Sequence, residues 1–246
     1  MAIYDVNGNS VTVSAQVKSP IAPIFGETAL IKHRAGNSAS AMATAYSNGY
    51  KSVEGDVRFT SDSVPVMSHD ATLNGLTISS STLAQLQAAG TVYTFDDWML
   101  DCHTYNIMAE IDFTKTYTET QCGILAQNIV KAGMTGRCTI ECYRGTSATY
   151  LSNNSTDLIL SILESSSTSN IDLLSTFAAK SRQVIAVIAH DSASSSLVEY
   201  AHSKGYLVRI WTGSTSDTVS QVKSYLAMGA DFVLTDNAKP SDITPS

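Results

Sequence analysis

Short β-branched runs alternate with helix-compatible stretches along almost the whole chain, and this alternation restricts the fold more than any other feature. Ala29 to Lys32, Ser52 to Phe59, Val64 to Ser68, Asn106 to Phe113 and Arg137 to Cys142 read as strands. So do Leu158 to Leu163, Val184 to Ala189, Leu207 to Trp211 and Phe232 to Thr235. Helices are expected over Ala39 to Asn48, Leu83 to Ala89, Phe95 to His103, Glu119 to Ala132, Ile171 to Lys180, Ser194 to Lys204 and Thr215 to Met228. Several of them stop at a glycine, and Thr94 with Asp97 forms a capping box. Strands in this alternation pair in parallel and are covered by helices. About eight strand–helix units in this length fit a (β/α)8 TIM barrel better than a doubly wound sheet. Nine candidate strands compete for eight places. Of Leu158 to Leu163 and Val184 to Ala189, one is expected to be helical or to lie outside the barrel.

No GxGxxG follows the first strand and no Walker sequence occurs, which removes the nucleotide-binding versions of an α/β fold. The net charge is −7, from 15 Lys plus Arg against 22 Asp plus Glu, and no basic cluster exists to displace counterions from a nucleic acid. No run reaches the length of a transmembrane helix, so a soluble chain is expected. Charged residues are only 15% of the 246, with serine and threonine taking up the difference. That composition suits a secreted or virion-associated protein more than a cytoplasmic one and leaves the compartment open. Cys102, Cys122, Cys138 and Cys142 lack a CxxC pair and read as free, buried thiols. Residues 1–28 precede the alternation. Ile3 to Val6 and Ser10 to Val13 flank Asn7-Gly8-Asn9 as a β-hairpin, followed by a linker with Pro20 and Pro23. This segment is expected either to plug the barrel bottom or to attach the chain to a larger assembly, with the barrel domain over 29–246.

A barrel enzyme carries its site where the strands end, and those ends are rich in polar groups. They hold Lys32-His33-Arg34, Glu54-Gly55-Asp56, Ser68-His69-Asp70, Glu110-Ile111-Asp112, Trp211-Thr212 and Thr235-Asp236. Residues two apart share a face, so Glu54 goes with Asp56 and Glu110 with Asp112. Four inward carboxylates need a compensating charge. A divalent cation with oxygen ligands supplies it, and so would rim pairing with Arg34, Arg58 or Lys115. His33 and His69 can move protons near neutral pH, and Arg34 offers a fork for a phosphate. Metal, two imidazoles and a guanidinium together point to phosphodiester chemistry.

These residues, in this order, resemble the glycerophosphodiester phosphodiesterase family over about residues 29 to 239. The family's His-Arg-Gly is met by His33-Arg34-Ala35-Gly36, its Glu-x-Asp-Val by Glu54-Gly55-Asp56-Val57, and its Thr-x-Asp-Gly by Thr60-Ser61-Asp62-Ser63. Pro65-Val66, His69-Asp70, Thr82-Leu83-Ala84-Gln85-Leu86, Glu110, Trp211-Thr212, Gly229-Ala230-Asp231 and Thr235-Asp236 follow at family spacing. The resemblance implies a TIM-barrel hydrolase releasing glycerol 3-phosphate from a small or lipid-derived phosphodiester. It implies Glu54, Asp56 and Glu110 as ligands of one divalent cation, Mg2+ or Ca2+ with Mn2+ as a further option. It makes His33 and His69 the acid–base pair, and Arg34 and Trp211 the substrate contacts. The same core could serve a phospholipase acting on sphingo- or lysophospholipids. It could also persist as an inactive binding barrel, with Arg34 or Lys115 paired to Asp112.

Departures mark this chain. The family's lysine two residues after the metal glutamate is Asp112, which weakens the phosphate site unless Lys115 or Arg209 reaches in or Asp112 joins the metal ligands. The Pro-Glu-Asn-Thr segment is missing, the arginine usual after His-Asp falls at Gly75, and Cys142-Tyr143 replaces Ser-Phe after an added acid, Glu141. Asp112 and Glu141 are therefore further candidates at the site.

Overall fold

The computed structural model describes residues 29–155, 157–213 and 217–243, with the short strands Ile3–Tyr4 and Ser10–Val11. Eight parallel strands close on themselves. In chain order they are Leu30–Lys32, Ser52–Phe59, Met108–Asp112, Cys138–Cys142, Ile159–Ile162, Gln183–Ala189, Leu207–Trp211 and Phe232–Thr235. Closure comes from the last strand pairing with the first, Leu234 opposite Ile31, and the first with the second, Ile31 opposite Ser52. Helices lie between the strands, so the fold is a (β/α)8 TIM barrel.

Both Leu158 to Leu163 and Val184 to Ala189 supply barrel strands, contrary to expectation. The surplus strand is Pro65–Met67, which turns back antiparallel on the second barrel strand with Val57 opposite Met67. Its apolar run is satisfied by the small cluster of Val66, Ile78 and Leu86 outside the barrel. A helix over Thr146–Asn154 escapes the periodicity reading because it is built from Ser, Thr and Asn around Ala148 and Leu151. The stretch expected as one helix from Ile171 is two short ones, Thr168–Asp172 and Ser175–Ala178. Ile3–Tyr4 pairs antiparallel with Ser10–Val11. The Asn7-Gly8-Asn9 turn, the linker, and the plug and attachment readings lie outside the described residues.

The serines and threonines have a structural use. Thr82, Thr94, Thr118 and Thr218 each close a capping box with Gln or Asp three residues on. Ser38, Ser167 and Ser194 cap further helices. Each cap satisfies a backbone N–H that the helix leaves free, worth about 1 kcal/mol.

Strand alternation divides the core. Outward residues such as Val53, Ile111, Ile140, Val208 and Val233 pack under the helices. Inward residues Ile31, Met108, Ile159, Ile185 and Phe232 make an apolar floor, and Leu234 continues it up to the mouth. Above it the interior turns polar, with Glu54, Glu110, Arg209 and Thr139 all buried. All four cysteines are free and buried, and no described helix is long and apolar enough to cross a membrane.

Candidate active site

The mouth of the barrel holds a cleft of about 250 Å³ lined by His33, Arg34, Glu54, Asp56, His69, Asp112, Glu141 and Trp211, with Thr114, Tyr143, Leu163 and Leu234 completing the wall. Register explains the gathering. Glu54 lies opposite Glu110, Asp56 opposite Asp112, and Asp112 opposite Glu141. Inward residues of adjacent strands therefore climb to the mouth together.

Ligand atoms of Glu54, Asp56 and Asp112 lie within 4.8 Å of one another. Each carboxylate is held from a different direction. Glu54 Oε2 accepts the Arg34 backbone N–H at 2.7 Å. Arg34 reaches this position in the left-handed region, φ 55°, a conformation that costs energy outside glycine. Asn37 grips Asp56 twice: its Nδ2 donates to Asp56 Oδ2 at 2.8 Å and its Oδ1 accepts the Asp56 N–H at 2.7 Å. Asp112 Oδ1 accepts the Thr114 N–H and hydroxyl. Burial, then the nearby Asp56, holds the Glu54 carboxyl well above the ordinary carboxylate range. Burial also pushes Asp112 up, but Lys115 and Thr114 outweigh it and leave this group below its ordinary value.

Glu110 is not in the cluster. It lies level with Glu54, about 6–7 Å below Asp112 along its own strand, and is buried against the guanidinium of Arg209. Arg209 also pairs with Glu141, so one buried cation bridges two buried carboxylates. Burial raises the Glu141 carboxyl to about 7, against the lowering pull of Arg209. Of the two groups that could reach in to offset Asp112, Arg209 is taken up by Glu110 and Glu141, and Lys115 is the one that meets Asp112. Lys115 Nζ lies 3.5 Å from Asp56 Oδ1 and 3.3 Å from Asp112 Oδ2.

The two histidines are mounted alike. His33 Nδ1 meets Asp236 Oδ1 at 2.9 Å, and its Nε2 lies 4.0 Å from Glu54 Oε2. His69 Nδ1 meets Asp70 Oδ1 at 2.8 Å. Arg58 donates two hydrogen bonds to the His69 carbonyl, at 2.6 and 3.2 Å, tying that loop to the strand that carries Glu54 and Asp56. Asp236 is fixed in turn by Asp217, which accepts the backbone N–H of Asp236 and of Asn237. Asn37 and Asp217 were not singled out by sequence reasoning, whereas Asp236 entered it as the Thr-Asp that ends the last strand and Arg58 as a rim partner for the carboxylates.

Three clustered carboxylates, two carboxylate-backed imidazoles and an exposed arginine at the mouth of a TIM barrel define a barrel enzyme of the phosphoric diester hydrolase class. The sequence agrees: residues 29–239 match the glycerophosphoryl diester phosphodiesterase family. The chain belongs to that family. Solved structures similar to it include a glycerophosphodiester phosphodiesterase from Agrobacterium tumefaciens, at 16% identity and TM-score 0.71 over 88% of this chain and 97% of that one. Another, from Parabacteroides distasonis, has 18% identity and TM-score 0.70 over 86% and 94%. An Oleispira antarctica phosphodiesterase in complex with the product sn-glycerol-3-phosphate has 16% identity and TM-score 0.66 over 88% and 95%. No functionally curated protein matches the chain.

Proposed function

We propose that the chain hydrolyses a glycerophosphodiester to glycerol 3-phosphate and an alcohol, with His33 and His69 moving the protons. The observation that carries this reading is the shared cleft: both imidazoles open onto the space that holds the carboxylate cluster. Asp236 and Asp70 each engage a ring Nδ1, which leaves Nε2 for proton transfer. A neighbouring substrate hydroxyl attacks phosphorus as one imidazole takes its proton, and the other protonates the departing alcohol. Water then opens the cyclic phosphate with the roles reversed. Arg34, exposed and lining the cleft, binds the phosphate with its fork of donors.

The cluster fits one divalent cation, Mg2+ or Ca2+ with Mn2+ as a further option. Its donors are all carboxylate oxygens, and Glu54 is buried beside Asp56 with no lysine or arginine paired to it among the described residues. Glu54, Asp56 and Asp112 would hold the ion, Asp112 standing where the resemblance implied Glu110. Once bound, such an ion polarises the phosphoryl group and offsets the gathered negative charge.

A second reading is favoured by Trp211 and Tyr143, 42% and 49% exposed at the mouth. Exposed aromatic rings there suit a lipid-linked alcohol, as in sphingo- or lysophospholipids. A coupled assay for released glycerol 3-phosphate tests the first reading, with Mg2+, Ca2+ and Mn2+ in turn and with EDTA and Glu54→Ala as controls. Release that needs metal and is lost in both controls supports it. Turnover of a lysophospholipid alone transfers the assignment to the second reading. No turnover of either substrate with any ion overturns both and leaves a binding barrel.

A further inference from the structure

Lys115 stands between the carboxylate cluster and a cavity beside it. On one side its ammonium faces Asp56 and Asp112 of the cluster, at 3.5 Å from one and at 3.3 and 3.4 Å from the two oxygens of the other. On the other side it lines a separate cavity of about 160 Å³ with Arg58, Thr116, Tyr117 and Gln121. Its contacts are long for charge-assisted hydrogen bonds, which run at about 2.7–2.9 Å, so charge rather than close geometry holds it. The side chain is 31% exposed on a flexible stem. Arg209 is the opposite case, fully buried and bound to two carboxylates below the cleft.

We propose that Lys115 is a displaceable counter-ion that becomes a phosphate ligand. Without a divalent ion it neutralises Asp56 and Asp112. When the ion takes those oxygens, like-charge repulsion turns the ammonium out toward the substrate phosphate. It thereby restores, from three residues later and from the loop rather than the strand, the cation lost where the resemblance places lysine and this chain has Asp112. Asp112 keeps its bonds from the Thr114 N–H and hydroxyl throughout, so the loop that carries Lys115 stays anchored while the side chain moves. This inference rests on the reading of Glu54, Asp56 and Asp112 as the cation site.

The test is direct binding with the full chain. Free Mn2+ is followed by electron paramagnetic resonance for the wild type, Lys115→Met, Lys115→Arg and the distant charge control Lys131→Met. Inorganic phosphate is then titrated calorimetrically at saturating Mn2+. Lys115→Met is expected to bind Mn2+ on the order of tenfold tighter and phosphate about tenfold more weakly. Lys115→Arg is expected to stay near the wild type in both, and Lys131→Met to change neither. A Lys115→Met protein with unchanged affinity in either arm, while the wild type binds Mn2+ and Glu54→Gln does not, overturns this proposal and leaves the cation site standing. Mn2+ binding by neither the wild type nor Lys115→Met overturns both. Thermal unfolding of each variant verifies that it is folded.

Discussion

A guanidinium at the centre of a barrel is held there by charge. Arg209 is fully buried among Glu110, Glu141 and the strands that carry them, out of reach of bulk solvent. Arg209→Met should therefore lower stability by about 3–5 kcal/mol, the usual cost of orphaning buried charges, read as a shifted urea midpoint. Adding Glu110→Gln and Glu141→Gln should recover part of it. His33 has a different bearing on the fold, because its partner Asp236 is exposed to solvent at the rim. His33→Ala should reduce turnover by about 10²–10⁴-fold with the melting temperature nearly unchanged. A parallel loss of both would make this histidine structural. Glu141 sets a pH dependence. Its folded value near 7 exceeds the ordinary 4.5, so the unfolded chain releases the proton first. Stability of the metal-free protein should then fall as pH rises from about 4.5 through about 7. Unfolding in EDTA at pH 5 and pH 8 checks the sign, and Glu141→Gln should reduce the slope, leaving the part that comes from Glu54. At this scale the residue types were legible in sequence, since acids two apart on a strand must share a face. Which acid faces the cleft was not, because that depends on Arg209, a cation delivered from a strand about a hundred residues away.

Two elements meet where the site is most tightly built. The turn Ala35–Asn37 lies directly on the second barrel strand, and a Cβ at Gly55 would come 2.9 Å from the Gly36 Cα and 2.8 Å from Met67 Cε. Backbone cannot yield as a side chain can. Gly55→Ala should cost about 1–3 kcal/mol and, by lifting the turn, loosen Asn37 from Asp56 and Arg34 from Glu54. Activity and melting temperature should fall together, unlike in His33→Ala. Elements with strong apolar periodicity and a cap, such as Phe95–Thr104, were readable from sequence almost to the residue. The polar helix Thr146–Asn154 was not, because its stability comes from packing Ala148 and Leu151 and not from a repeating pattern. The surplus strand was misplaced for a related reason. Pro65–Met67 is as apolar as a barrel strand, and only its reversal against Val57 sends it outside.

For the whole molecule, cation binding and folding are one equilibrium if the cluster holds a metal. A divalent ion at a hundred times its dissociation constant should stabilise the barrel by about 2.7 kcal/mol. For a chain of this size that corresponds to roughly 5–10 °C in melting temperature. Scanning fluorimetry with and without Mg2+, Ca2+ and Mn2+ checks this, and Glu54→Gln should abolish the shift. The barrel itself was legible because eight repeats of one strand–helix rhythm leave few other architectures. Its seam has a bearing on how the protein is made. His33 lies near the start of the barrel, yet Asp236, which orients it, and the strand that flanks it come from the end. A ribosome must therefore finish nearly the entire barrel before the first imidazole acquires its partner. A half-made chain carries the histidine without Asp236, so if His33 moves protons as proposed, turnover waits for the last strand.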